Sequence, residues 1–441
     1  MDKQLDSVSG GVRAAVVSLV KRDDDPAAVE ASLDELERLL ETAGAEAVIR
    51  LVQNKETPDA RTYLGSGKIK ELQSTCRDFG VQLVVFDTEL SPSQIKNAED
   101  ELSKDNPELR VIDRSMLILD IFAIHATTSE GKLQVELAQL KYTAPRLIGK
   151  GISMSRQQGG NIAMRGPGET KLETDRRHIR RRMQALEQEL KTVEEQRLTQ
   201  RKQRDKSGIT KVAIVGYTNA GKSTLLNRLT DAGILAEDKL FATLDPTTRK
   251  YTLPDGNEIL LIDTVGFIRN LPHHLIKAFK TTLDEVVYAD IIIAMTDASD
   301  REAAAQLEVT DGLLNDLGAT GKPVIYVYNK CDRETDFVPC VVSLGSNENV
   351  FFISARTGKN VNALVDRIMQ IINERTCEVV FDLHVSEQGV LNRMYRFAKV
   401  VDVSYEGDRI KVKAICDGKA KGMFREWIDK KAAEDGNGED E

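Results

Sequence analysis

Residues 211–224 read K-V-A-I-V-G-Y-T-N-A-G-K-S-T, a strand-like apolar run that enters G-x-x-x-x-G-K-[ST] and continues into the helix-forming L-L-N-R-L. Gly216 and Gly221 let the main chain wrap an anion closely with its N–H groups turned inward. The intervening Tyr217, Thr218, Asn219 and Ala220, with Thr224 just beyond, are expected to line phosphates. Lys222 is expected to reach the β- and γ-phosphates and the Ser223 hydroxyl to ligate Mg²⁺. Downstream, E-I-L-L-I-D-T-V-G-F closes an apolar strand with Asp263, followed by Gly266. A carboxylate there suits Mg²⁺ through a water, and the Gly266 N–H suits the γ-phosphate. P-V-I-Y-V-Y-N-K-C-D then supplies Asn329, Lys330 and Asp332 after a buried strand. An aspartate in that place accepts from guanine N1–H and the 2-amino group, a pattern adenine lacks, so the wrong base is rejected by roughly 10⁴-fold. Finally F-F-I-S-A-R ends a strand with Ser354, Ala355 and Arg356, whose backbone is placed for guanine O6. The order and spacing imply an enzyme that binds GTP and GDP and hydrolyses GTP, with Lys222, Gly266 and a switch threonine nearest the reaction.

Three threonines between the first two motifs could complete the Mg²⁺ shell: Thr243, Thr247 and Thr248, in F-A-T-L-D-P-T-T-R. F-A-T-L resembles the switch of Obg-related GTPases, which favours Thr243. Ras-like enzymes orient the attacking water with a glutamine directly after D-x-x-G; here that position is Phe267. A phenyl ring cannot hold water, so intrinsic hydrolysis is expected to be slow and to need help. Asn219 occupies the P-loop position that carries a potassium-binding asparagine in the tRNA-modifying MnmE family, which suggests K⁺ beside Mg²⁺ as a source of positive charge.

These residues need strands that end at one edge of a sheet. Strand patterns at 211–215, 249–253, 258–262, 290–295, 323–327 and 350–353 alternate with helices and predict a P-loop α/β domain over 208–376, its sheet mostly parallel with helices on both faces. Upstream, strands at 13–20, 47–52 and 82–86 alternate with helices near 28–42, 68–79 and 92–102, giving an N-terminal α/β domain over 1–130. V-I-D-R-S-M-L-I-L-D-I-F-A-I-H-A adds a further buried segment containing Met116, Leu117, Ile118 and Leu119. Residues 377–431 alternate in period two and predict a small antiparallel β-rich module with little helix; 432–441 are acidic and expected to be disordered. The fold class is therefore α/β and multidomain.

Between the two α/β domains, 131–207 changes character. Leu133, Leu137 and Leu140 share one helix face, and Ile179, Met183, Leu186, Leu190 and Val193 repeat in 4-3 spacing. Two such helices predict an antiparallel coiled-coil hairpin. Residues 175–207 hold eleven Lys/Arg against six Asp/Glu, beginning with Arg176, Arg177, His178, Ile179, Arg180, Arg181 and Arg182. The whole chain has 441 residues and a formal net charge of -9, so nucleic acid contact requires a local basic surface of this kind. The loop joining the helices, 146–169, carries six glycines with Lys150, Arg156 and Arg165, and reads as a tip that orders on a partner. The five cysteines (Cys76, Cys331, Cys340, Cys377, Cys416) lack zinc spacing, no apolar run is long enough to span a bilayer, and the polar N-terminus lacks a signal-peptide pattern. A cytoplasmic monomer is expected.

Beyond the nucleotide motifs, T-Y-L-G-S-G-K (62–68), V-V-F-D-T-E-L-S-P-S-Q (84–94), V-I-D-R (111–114), L-I-L-D-I-F-A (117–123), E-G-K-L-Q-V-E-L-A-Q-L (130–140), R-G-P-G-E-T-K-L-E-T-D-R-R (165–177) and D-T-V-G-F-I-R-N-L-P-H (263–273) resemble the HflX family of translational GTPases. The resemblance implies a protein that binds the large ribosomal subunit and its rRNA, splits or rescues stalled ribosomes under stress, and brings its hairpin tip near the peptidyl-transferase centre. It departs at the tip, where N-I-A-M-R-G-P-G-E stands for the family's usual G-I-G-T-R-G-P-G-E. Some members also use ATP through the N-terminal domain. G-S-G-K (65–68) invites a second site there, yet lacks a full P-loop and reads as a structural turn. A large-subunit assembly or hibernation factor timed by GTP, and an ATP-assisted rRNA-remodelling enzyme, remain as alternatives.

Overall fold

A computed structural model describes residues 11–149, 167–205, 209–230, 240–241, 246–269, 280–335, 349–374 and 376–429. The N-terminal unit is a four-stranded parallel sheet in the order β2-β1-β3-β4, from β1 (Val12–Val20), β2 (Ala45–Asn54), β3 (Leu83–Phe86) and β4 (Arg110–Asp113). Helices α1 (Pro26–Thr42), α2 (Ser66–Asp78) and α3 (Pro92–Leu102) are the crossovers between these strands. The central strand β1 is apolar on both faces, Ala14 and Val16 turning to one core and Ala15 and Val17 to the other, as a doubly covered parallel strand requires. Met116–Leu119 belong to a helix, α4 (Arg114–His125), with Leu117, Ile118 and Leu119 buried and Asp113 capping its start through the Met116 N–H.

Two antiparallel helices follow. In α5 (Ser129–Thr143) the buried Val135, Ala138 and Tyr142 face the N-terminal core, while Leu133, Leu137 and Leu140 are only half-buried. The hairpin is thus rooted in the N-terminal unit and is no free stalk. The second helix, α6 (Pro167–Asp205), buries Leu186 and half-buries Ile179, Met183, Leu190 and Val193, the expected seam. Ion pairs Glu130–Arg197 and Lys141–Glu187 fix the antiparallel direction. Their register puts Arg176–Arg181 level with or beyond the C-terminal end of α5, on the tip side. The tip residues Arg156 and Arg165 lie outside the described residues.

The third unit is a six-stranded sheet ordered β10-β9-β8-β5-β7-β6, built from β5 (Thr210–Gly216), β6 (Thr247–Thr252), β7 (Glu258–Asp263), β8 (Ile291–Asp297), β9 (Val324–Asn329) and β10 (Val350–Phe352). All pairings are parallel except β6 with β7. Its described helices are α7 (Lys222–Thr230), α8 (Lys280–Val287), α9 (Ala303–Asp316) and α10 (Val361–Glu374), with one apolar cluster on each face of the sheet. The C-terminal unit is a three-stranded antiparallel sheet, β11 (Thr376–His384), β13 (Arg409–Asp417) and β12 (Lys399–Glu406). The expectation of little helix there is corrected: α11 (Gln388–Phe397) crosses between β11 and β12, and α12 (Gly418–Met423) follows β13. Val390, Leu391 and Met394 of α11 cover the sheet's apolar side, a helical spacing hidden in a short polar segment. Among the described residues no helix is long and apolar enough to cross a membrane.

Candidate nucleotide site

The phosphate loop leaves β5 at Gly216 and enters α7 at Lys222. Gly221 has φ +94, and a Cβ there would stand 2.2 Å from Asn329 Nδ2, so only glycine allows the loop to meet the N-K-x-D strand end. Asn329 fastens that junction: its Nδ2 donates to Ala220 O at 2.8 Å and its Oδ1 accepts from Ala355 N–H at 2.8 Å. One buried amide thus ties together the phosphate loop, the end of β9 and the S-A-R segment. The Ser354 hydroxyl hydrogen-bonds to Asp332, which lowers that aspartate's pKa and keeps it an acceptor. Lys330 sits in the left-handed region (φ 64), its ammonium 2.8 Å from Asp297 at the end of β8. Arg356 is exposed beside Asp332.

On the phosphate side, the Lys222 ammonium donates back to Gly216 O at 3.2 Å and Tyr217 O at 2.9 Å. Burial pushes its pKa down to about 8, opposed by Asp263. Ser223 Oγ donates to Asp263 Oδ2 at 2.6 Å, which joins the two residues expected at Mg²⁺. A half-buried hydroxyl and a buried carboxylate at that spacing are hard oxygen donors that fit a small divalent cation. Gly266 approaches the loop so closely that a Cβ would lie 2.6 Å from Thr218 Cγ2 and 3.0 Å from Lys222 Nζ. Asn219 also has a left-handed backbone (φ 61), and Thr224 is half-buried in the first turn of α7. Thr243 lies outside the described residues; Thr247 and Thr248 pair in β6 with Asp263 and Ile262 of β7. Phe267 is 1% exposed, in the buried apolar cluster that also holds Tyr217, Leu283 and Val286. Its N–H donates to Gly216 O at 3.0 Å, and its carbonyl accepts from Thr218 N–H at 2.8 Å.

Sequence reasoning missed what lies behind this site. Leu240, Phe241, Val265 and Ile268, which flank the two switch segments, join the core of the N-terminal unit, and Phe241 meets Phe122 edge-on at 4.6 Å. Next to them Arg114, 1% exposed, pairs with Glu35 and, at 2.6 Å, with Asp87. Glu35 Oε1 accepts from the Arg269 N–H at 3.4 Å and raises the pKa of the buried phosphate-loop Tyr217, after burial the larger cause. Partners 79 and 234 residues apart have no local signature. Arg228 braces the site from α7 by donating to Thr357 O at 2.8 Å.

Of the basic cluster, Arg176, Arg177, Arg180 and Arg181 are exposed, whereas Arg182 is held in a two-pronged pair with Glu136 at 2.6 and 2.7 Å. Its charge is partly spent within the hairpin. Gly65 to Lys68, expected as a turn, are instead the N-cap and first residues of α2: the Gly65 N–H donates to Gln53 Oε1 and Lys68 pairs with Glu71.

Comparison with known proteins agrees with this geometry. Three families match: "GTP-binding GTPase N-terminal" at residues 30–123, "GTP-binding GTPase Middle Region" at 125–204 and "50S ribosome-binding GTPase" at 211–330. The chain is 47% identical to "GTPase HflX" of Lacrimispora saccharolytica over 91% of this chain and 93% of that one. It is 45% identical to that of Caldanaerobacter subterraneus subsp. tengcongensis, over 94% of each, and 41% identical to that of Escherichia coli K12, over 83% and 85%. A GDP-bound GTP-binding protein of Sulfolobus solfataricus overlays at TM-score 0.41 with 24% identity, over 81% of this chain and 98% of that one, too loosely to inform the site. With four linked units, the motif set and identity sustained from end to end, the chain belongs to the HflX family of GTPases and hydrolyses GTP.

Proposed function

We propose that this GTPase acts in the cytoplasm on the large ribosomal subunit, binds rRNA through its helical hairpin, and uses GTP to split or rescue stalled ribosomes under stress. The observation that carries the reading is the exposed run Arg176, Arg177, Arg180 and Arg181 at the tip side of a rooted two-helix arm, in a chain of net charge -9. Four outward arginines at the end of a rigid arm suit a phosphate-lined cleft better than a flat surface. The printed description of the matching GTPase domain points the same way.

In the nucleotide site, Ser223 and Asp263 would hold Mg²⁺, with Thr243 as the switch ligand and Asn219 as a K⁺ ligand. Magnesium supplies charge neutralisation across the β- and γ-phosphates. Lys222 leaves its two loop carbonyls for the phosphates, Gly266 presents its N–H to the γ-phosphate, and Asp332 reads the guanine edge. Phe267 is locked in the core, so no side chain at that position aims the water. Basal turnover is therefore slow, and the bound subunit raises it. The test is GTP turnover and sedimentation with and without purified large subunits, in potassium and in sodium. Stimulation by subunits with co-sedimentation is expected, and loss of intact ribosomes with GTP but not GDP distinguishes splitting from passive binding. No stimulation and no co-sedimentation would sink the ribosomal reading; equal rates in the two salts would remove the potassium role.

A further inference from the structure

The hairpin helix α6 touches the GTPase unit at a joint that the nucleotide motifs do not explain. Arg197 bridges two elements: one arm of its guanidinium is 3.0 Å from Glu130 at the start of α5, the other 3.2 Å from Glu285 on α8. The joint is enclosed, with the Arg197 side chain 19% exposed and that of Glu285 8%. An exposed ion pair would contribute little, but a buried carboxylate depends on its partner for orientation. Glu285 sits on α8, whose Leu283 and Val286 belong to the same buried apolar cluster as Phe267. Phe267 in turn exchanges backbone hydrogen bonds with Gly216 and Thr218 of the phosphate loop. A connected path therefore runs from the hairpin through the Arg197–Glu285 pair, the apolar cluster shared by α8 and Phe267, and the Phe267 backbone to the phosphate loop. Packed contacts of this kind switch between discrete arrangements more readily than they deform.

We infer that Arg197 is a positioning residue for GTP hydrolysis, acting through Glu285 to set α8 and the Gly266–Phe267 segment according to the posture of the hairpin. It touches neither the nucleotide nor the exposed arginine run. It is the point where a load on the hairpin becomes a shift of the switch segment. The inference rests on the hairpin being the ribosome-binding arm, and its test separates the two.

Full-length Arg197→Gln and Glu285→Gln, and the double variant, are compared with the unaltered chain for basal kcat and KM, kcat with large subunits, co-sedimentation and melting temperature. Basal KM and co-sedimentation are expected to stay within about twofold, while subunit-stimulated kcat falls about tenfold, the middle of the range for coupling between sites. The double variant should lose no more than the worse single one, because both break one joint. Arg197→Lys, which keeps the charge but not the two-pronged reach, should recover part of the stimulation. In the absence of subunits, amide exchange in α8 should quicken in both single variants. Undiminished stimulation with binding intact overturns the inference, and so do additive losses in the double variant. Loss of co-sedimentation in Arg197→Gln also overturns it, since Arg197 would then be a binding group. If the unaltered chain neither binds nor responds to subunits, the ribosomal reading fails first and this coupling falls with it.

Discussion

Raising the pH should weaken nucleotide binding through Lys222 alone, by an amount the structure sets. In the free protein the ammonium is buried against two loop carbonyls, and desolvation brings its pKa from 10.5 down to about 8. Phosphate oxygens restore the charged form. Between those values binding must therefore take up a proton, and affinity falls as pH rises. From about pH 7 to about pH 9, one unit past the free-protein pKa, the loss is about tenfold, or about 1.4 kcal/mol. The same depressed pKa implies that the free protein gains stability across this window, because the unfolded chain holds the proton that the native one has released. The assay is the dissociation constant of Mg·GDP at several pH values, capped near pH 9 to stay below titration of the guanine N1–H. Lys222→Met serves as control: it should bind weakly at every pH and show no slope. A change of less than twofold in the unaltered chain refutes the reasoning, as does a slope that survives in Lys222→Met.

Phe267→Gln, which installs the Ras-like residue, should fail to raise turnover and should cost about 3 kcal/mol, because it places an amide in the apolar cluster of Leu283 and Val286; turnover assays with urea melts check both halves. Gly221→Ala should abolish GTP and GDP binding alike, as its methyl would stand 2.2 Å from Asn329 Nδ2, and equilibrium dialysis decides it. Arg114→Ala should lower stability by about 3–5 kcal/mol in denaturant titration, since Glu35 and Asp87 are left buried and uncompensated. Glu35→Leu combined with Asp87→Leu and Arg114→Met should recover most of that loss while leaving the interface uncharged.

The parts of the molecule that were legible in sequence are those whose physics is local. Most G-domain strands were visible because a doubly covered parallel strand is a short apolar run, the antiparallel edge strand β6 being the polar exception, and each motif because a phosphate or a guanine must meet backbone at a strand end. The hairpin was visible because a seam of two helices repeats every three and four residues. What stayed hidden depends on partners distant in sequence. Nothing near Glu35 or Arg114 announces that a parallel-sheet domain will offer a carboxylate to Arg269, 234 residues downstream of its acceptor. The helix α11 was missed although Val390, Met394 and Phe397 fall at i, i+4 and i+7, because the segment is only ten residues long and lies between strand-like alternating stretches. The arginine run was read correctly for charge but not for geometry: Arg182 faces Glu136 across the seam, which only the register of the two helices could reveal.

Phe267 is where the two levels of reading meet. By sequence it is an absence, a ring in place of a water-orienting amide. By structure it is a connector, hydrogen-bonded through its backbone to Gly216 and Thr218 at the start of the phosphate loop and buried by its side chain in the cluster that holds Leu283 and Val286 of α8. Those roles conflict with catalysis in the usual way, because a residue pinned on both sides cannot swing toward the γ-phosphate. They also make the segment responsive to whatever moves α8. A glutamine placed in this apolar cluster would be pinned in the same way and would not aim water, whereas the buried phenylalanine couples the site to α8, and the salt-bridged Arg197 couples α8 to the hairpin. The same substitution that removes self-sufficiency therefore supplies the contact through which an external partner can act.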